Sequence, residues 1–353
     1  MDHGIEKNFS WGPMEKKNTQ VIVDPECDIL YSSFYIYGLY EVFGRKNVRF
    51  ERLFEKSVGA DTLNFMVLGE GLERKVTISL ADSYQVNNEE LYDWCDVYGN
   101  VNANFSKTPP RYHDKMVALC PSFGIRCWNA FDAMRYAVVP APNRDSSIRK
   151  HLGKFKRMLQ RPAYRDYEAP ASSVVDPRYV FFLSTLWPHD EWNRNDEKVN
   201  LRRADFIRAC REVDGLRFEG GLVSCGHERC SERLFADCLC EAMPMSEWMK
   251  RTRRSALVFN TPAYWDCHGW KLGEYLAMGK CIVSTRLSND LPVPLEHGVN
   301  VHFVEDNRES MKDAVCYILD HPEYAERLGR GASRYWEKYG SPYASLCLLG
   351  IIN

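Results

Sequence analysis

The sequence predicts an α/β fold built from two successive Rossmann-like units that face each other across a cleft. Three observations carry this. Short apolar runs ending in small polar residues alternate with helical stretches along most of the chain. A stretch rich in proline and serine, Ala169-Pro170-Ala171-Ser172-Ser173-Val174-Val175-Asp176-Pro177, divides this pattern into two halves of similar size. The length of 353 residues suits about two domains.

In the first half, strands are expected at Asp28–Phe34, Val76–Asp82, Asp96–Val101 and Lys115–Cys120, each a short β-rich run bounded by turn residues. In the second half the reading is a strand at Tyr179–Leu183, a helix over Leu201–Glu212 and a strand at Leu216–Glu219. A helix over Ser246–Arg253, a strand at Ala256–Phe259, a helix over Trp270–Met278 and a strand at Cys281–Ser284 follow. Ligands of such folds bind at the carboxyl edges of the strands, so the loops after these runs are where chemistry is sought.

Composition excludes several classes. Apolar residues make up 45% and charged residues 27%, enough to bury a core and too apolar for a disordered chain. With 46 basic against 48 acidic residues the net charge is −2, so no global field draws the chain to nucleic acid. Thirteen cysteines, an odd number scattered from Cys27 to Cys347, read as reduced thiols of a cytoplasmic protein rather than a disulfide framework. The N-terminus has no signal-peptide pattern, and no apolar run is long enough to span a bilayer. Gly273 to Gly279-Lys280 imitates a phosphate loop, but five residues intervene instead of four and Cys281 stands where Ser or Thr would bind magnesium. No G-x-G-x-x-G follows a strand.

The most informative segment is Ala256 to Ser284, which reads strand, loop, helix, strand. Its loop, from Asn260 and Thr261 to His268, is rich in groups that bond hydroxyls. Its helix starts at Gly269-Trp270, where free backbone N–H groups and the positive dipole end suit a phosphate. Asp266 lies in the loop and Glu274 eight positions later on the helix, so the two acids are set to face different parts of one ligand.

An acid, seven residues and Glu274, followed by Ala277-Met278-Gly279-Lys280-Cys281-Ile282-Val283, resembles the GT-B glycosyltransferases of bacterial group 1 type. The resemblance covers roughly Tyr179 to Trp336. Weaker likeness lies in Cys120-Pro121-Ser122-Phe123-Gly124-Ile125-Arg126 and Val101-Asn102-Ala103-Asn104. It implies an acceptor domain over 1–172, a nucleotide-sugar domain over 173–331, and a helix over 332–353 crossing back to the first domain. It also implies that Glu274 accepts the ribose diol and that Asp266 stands by the donor hexose, with Asp where the family commonly has Glu and hence a shorter reach. The chain has no Asp-x-Asp, the metal motif of the other large nucleotide-sugar transferase class. A metal-independent enzyme needing no cofactor is implied, with UDP- or GDP-sugar as donor and basic side chains neutralising the diphosphate.

Candidates for those cations are Arg194, Lys198 and Lys271, with Ser184 and Thr185 meeting the phosphates at the end of a strand. Trp265 and Trp270 offer faces for stacking on base or sugar, against an ordinary core role, and His268 is a contact to phosphate or hexose or an ordinary loop histidine. A base for an inverting reaction belongs on the first domain: Asp82, at the end of the Val76–Ala81 run, is chosen over His113 and Asp114.

Two further signals stand apart. Between Arg144 and Arg165 eight basic residues accompany one acid, with Ile148, Leu152, Phe155 and Leu159 at helical spacing. This is a solvated basic face over core contacts, an interfacial helix touching the inner face of the membrane, or a site for an acidic glycan. Cys225, His227, Cys230, Cys238 and Cys240 crowd a short stretch and form a weak zinc candidate. The expectation is a glycosyltransferase acting on a glycan or lipid-linked glycan in bacterial surface polysaccharide or capsule synthesis. The alternatives are a non-catalytic nucleotide-sugar or glycan binder and an epimerase on the same fold.

Overall fold

A computed structural model describes residues 19–69, 72–138, 148–168, 175–188, 195–224 and 232–352. The first unit comprises β1 (Gln20–Val23), α1 (Ile29–Phe43), β2 (Val48–Phe50), β3 (Thr62–Gly69), β4 (Leu72–Ser79), α2 (Glu89–Trp94), β5 (Val97–Asn100), β6 (Met116–Ala118), α3 (Ala130–Val138) and α4 (Ile148–Leu159). Its six strands form one sheet in the order β2-β1-β3-β4-β5-β6. β4, β5 and β6 run parallel, while β3 is antiparallel to both β1 and β4. The segment expected as a strand at Asp28–Phe34 is the start of α1. Asp28 Oδ1 accepts the Leu30 N–H at 3.0 Å as a helix cap. The apolar run then continues to Phe43, too long for a strand and buried on most of its circumference, so its periodicity hides the helix.

The second unit comprises β7 (Tyr179–Leu186), α5 (Asn195–Arg211), β8 (Arg217–Ser224), α6 (Met245–Arg254), β9 (Val258–Asn260), α7 (Trp270–Ala277), β10 (Ile282–Ser284), β11 (His302–Phe303) and α8 (Arg308–Asp320). All its ladders are parallel: β7 with β8, and β10 between β9 and β11. β7 and β9 lie side by side, tied where the Phe181 N–H donates to Ser255 Oγ at 2.8 Å.

α9 (Pro322–Tyr335) passes through a π turn (Trp336–Gly340) into α10 (Pro342–Leu348). The π turn and Pro342 bend the chain back, and α10 packs on α1 of the first unit. Trp336 anchors the return: its Nε1 donates to Tyr164 Oη at 2.9 Å, and its ring packs against Phe34 and Phe123. The chain therefore closes on its first unit through a buried aromatic cluster.

The basic stretch resolves into separate roles. Phe155 and Met158 on α4 are buried in the main core with Leu159 packed against it, while Leu152 is 48% exposed. Lys154 pairs with Asp28 at 2.9 Å. Residues 141–147, including Arg144, fall outside the described residues. So do 169–174 of the proline-rich stretch.

Candidate active site

The ends of β4, β7 and β9 and the start of α7 open on one cleft of about 540 Å³ between the two units. α7 fits there because of two glycines. At Gly273 an added Cβ would lie 2.2 Å from the Pro121 carbonyl oxygen, so only glycine lets the helix rest directly on the first unit. At Gly279 φ is +59°, and the Gly279 N–H bonds Leu276 O at 3.0 Å while the Lys280 N–H bonds Tyr275 O at 3.0 Å. This is a Schellman ending, and it explains the Ala277-Met278-Gly279 spacing that precedes β10. Lys280 is no phosphate ligand: buried, it donates to Arg253 O at 2.9 Å and Ser255 O at 2.6 Å, capping the end of α6.

Glu274 is 4% exposed. Its Oε1 accepts from Arg161 Nη2 at 2.6 Å and from Tyr167 Oη at 3.2 Å, both groups of the first unit. Arg161 is fixed in turn by donation to Gly124 O at 2.8 Å, and its guanidinium lies over the Trp270 ring at 5.3 Å. Burial pulls the Arg161 pKa down, but Glu274 and Tyr167 outweigh it and the net shift is upward, so the guanidinium stays charged.

Two further cations line the cleft. Arg203 on α5 is buried, its Nη1 donating to Thr185 O at 2.7 Å, and among the described residues it makes no ion pair. Burial depresses its pKa to about 10. Lys271 lies over the Trp248 ring at 5.2 Å. Its pKa falls to about 8, chiefly through burial, with Glu274 opposing and Arg203 and Arg161 adding to the fall. Three cations thus share the cleft with two carboxylates, Glu274 and Asp82, and Arg203 and Lys271 are left without an ion pair among the described residues near the uncapped start of α7: an arrangement suited to a multiply charged anion.

Asp82 stands just past β4, exposed to solvent at the edge of the cleft that it helps to line. Desolvation raises its pKa, a bond from Cys267 lowers it less, and Asp61 adds a small rise. Asn102 braces this corner: its Nδ2 donates to Ala81 O at 2.9 Å, and its Oδ1 accepts the His268 N–H at 2.7 Å. His268 is buried, and its pKa drops to about 4 through desolvation, so its ring is neutral near pH 7. Nε2 faces the Asp290 carbonyl at 3.4 Å, which can only accept and so places the ring proton on Nε2.

Of the residues singled out from the sequence, Asp82, Ser184, Thr185, Asn260, Thr261, His268, Gly269, Trp270, Lys271 and Glu274 line this cleft. Asn260 and Thr261 are tied internally, to Ser284 Oγ at 3.0 Å and Thr285 Oγ1 at 2.9 Å. Trp270 packs edge-on against Tyr31 of α1, 4.6 Å between centroids. Asp266 is outside the lining. It sits with Trp265 in a tight turn where both residues are left-handed, at φ 58° and 57°, and Trp265 is 51% exposed. Such a conformation in a bulky residue is strained. Lys198 is exposed and outside the lining: Arg203, five positions on and about 140° around the helix, is the one that faces the cleft. Arg194 lies outside the described residues. His113 is also away from the cleft, with Nε2 bonded to Thr108 O at 2.9 Å.

Sequence reasoning missed Arg161 and Arg203. Arg161 was hidden in the basic run, and its signal was the Pro162 that ends the helix and turns it inward. Cys225, His227 and Cys230 lie outside the described residues, and no cluster of metal ligands occurs among the described ones. Cys238 is a buried thiol facing Ala204 O.

No family model matches the sequence, and no curated protein matches it. Among solved structures, a glycosyltransferase from Rickettsia africae is 13% identical over 91% of this chain and 78% of that one, with a TM-score of 0.42. Anabaena Alr3699/HepE in complex with UDP-glucose is 8% identical over 90% and 94%, with a TM-score of 0.41. S. aureus MnaA with UDP is 15% identical over 76% and 63%, with a TM-score of 0.38. These are remote likenesses. The GT-B architecture rests on the chain's own strand order, its cleft between two α/β units and its returning C-terminal helix.

Proposed function

We propose that the chain is a glycosyltransferase of hexosyl type, moving a sugar from a nucleoside-diphosphate donor, UDP- or GDP-linked, to a hydroxyl of a glycan or lipid-linked glycan. The observation that supports this reading is the charge of the cleft: Arg161 is paired with Glu274, while Arg203 and Lys271 make no ion pair among the described residues and stand at a free helix start, with Asp82 on the opposite wall. A diphosphate matches that excess, and its negative charge grows as the leaving group departs.

In this reading Arg203, Lys271 and the α7 N–H groups hold the diphosphate, and Glu274, oriented by Arg161, accepts the ribose hydroxyls. Asp82 takes the proton from the acceptor hydroxyl as its oxygen attacks the anomeric carbon. The bond from that carbon to the β-phosphate oxygen breaks, and its electron pair leaves with the nucleoside diphosphate. A carboxylate with a raised pKa is the stronger base for that task. The role of the cations makes a bound metal unnecessary to the proposal.

The test is a thermal-shift titration with UDP, GDP, CDP, dTDP and ADP on the wild type and Lys271→Met, joined to an assay of nucleotide release from the matching sugar donors. Stabilisation by one nucleotide, weakened in Lys271→Met, with release that requires an acceptor, supports the transferase. No shift at millimolar nucleotide overturns it. Nucleotide release without an acceptor would point to transfer to water by a hydrolase or hydrolysing epimerase, and binding without turnover to a receptor.

A further inference from the structure

A second cavity, of about 910 Å³, lies where the end of the first unit meets α6 and the start of the second. Five cations line it: Arg126, Arg161, Lys250, Arg253 and Arg254. Only two carboxylates oppose them, and both are engaged. Asp176 Oδ2 accepts from Arg217 at 2.8 Å and from Arg254 at 2.9 Å, while Asp166 Oδ2 accepts the Ala163 N–H at 2.8 Å. Arg161 is committed to Glu274. Arg126, Lys250 and Arg253 are left without an ion pair among the described residues, and the buried Arg253 Nε has no acceptor.

Like charges gathered around a cavity repel one another, and an uncompensated guanidinium beside buried groups is costly. We propose that this seam is a second anion-binding site, taking a ligand that carries two or more phosphate or carboxylate groups. It is separate from the donor cleft. The wall between them is the start of α6, where Met245 faces the cleft and Ser246, Lys250 and Arg253 face the seam. Arg161 stands in that wall, its Nη1 3.4 Å from Met245 Sδ, and lines both cavities. The two sources of such chemistry are an acidic glycan and a free oligophosphate.

Two probes distinguish them: tetragalacturonate and inorganic tripolyphosphate, each titrated by calorimetry at fixed ionic strength. The proteins are wild type, the double variant Arg126→Glu/Lys250→Glu, and Lys271→Met. Arg126 and Lys250 are exposed, and circular-dichroism melting checks that the double variant folds. Saturable binding of at least one probe is expected, weakened about tenfold or more in the double variant and unchanged in Lys271→Met. Which probe binds names the source. Absence of saturable binding by both overturns the site, as does binding lost in Lys271→Met and kept in the double variant, which would place the probe in the donor cleft. Because a cleft response is the one weakened in Lys271→Met and a seam response the one weakened in the double variant, failure of the seam and failure of the transferase reading on which the donor cleft rests are separate results.

Discussion

Arg161 donates to Glu274 at 2.6 Å across 113 positions of sequence, joining the first unit to the helix that opens the cleft of the second. The side chains are 18% and 5% exposed, so neither charge has ready access to water. Removing one partner of such a pair leaves an unpaired buried charge, which costs about 3–5 kcal/mol. Arg161→Ala and Glu274→Ala are each expected to lower stability by that order in urea denaturation. The double variant should lose less than the sum of the two. Additive losses would show that the pair does not couple the units.

If the cleft holds a nucleoside diphosphate as proposed, Lys271 should make its binding pH-dependent. Its pKa of about 8 lies below the ordinary 10.5, chiefly because it is buried. As pH rises through 8 it loses its charge, so diphosphate affinity should fall between pH 7 and 9. In Lys271→Met, affinity should be weaker and flat over that window. Calorimetric titration of the stabilising nucleotide at several pH values checks this, and parallel profiles would contradict it.

His268 sets part of the acid limit. Its folded pKa of about 4 lies below the ordinary 6.5, so between those values the unfolded chain binds more protons than the folded one. Stability is therefore complete above pH 6.5 and declines as pH falls towards 4, by up to about 3 kcal/mol for this group. His268→Gln should make the acid limb of the stability curve shallower. His302, whose pKa burial likewise lowers to about 4, supplies a remaining slope.

On the proposed mechanism Asp82 serves the chemistry and not nucleotide binding. Asp82→Asn is expected to cut kcat by about 10²- to 10⁴-fold while nucleotide affinity stays at the wild-type value. Asn102 touches the backbone on both sides of the Asp82–Cys267 contact and acts only by positioning. Asn102→Ala should give a smaller fall in kcat together with a shifted pH profile, which a purely structural lesion would not produce.

The turn at Trp265 and Asp266 stores backbone strain of about 1–3 kcal/mol for each left-handed residue. Trp265→Asn substitutes a residue that tolerates this conformation, and the melting temperature should hold or rise. A drop of several degrees would mean that the exposed indole contributes packing beyond its contact with Tyr264.

The sequence by itself determined what is local. The alternation of short strands with helices from Tyr179 onward is written in periodicity, and the ending of α7 follows from one glycine in a Schellman turn. The cluster of Asn260, Thr261, His268, Gly269, Lys271 and Glu274 was legible because those residues share one strand-loop-helix segment. What sequence could not convey was relative orientation. An apolar run reads alike in a buried helix and a buried strand, so the start of α1 at Asp28–Phe34 reads as a strand. A basic residue reads alike facing water or facing a cleft, so sequence does not separate the exposed Lys198 from Arg203, which lies further around the same helix and lines the cleft. Only the tertiary structure carried Arg161 from a basic run on the first unit to the carboxylate of the second, because that pairing depends on the packing of α7 against Pro121 and not on any neighbour in the chain.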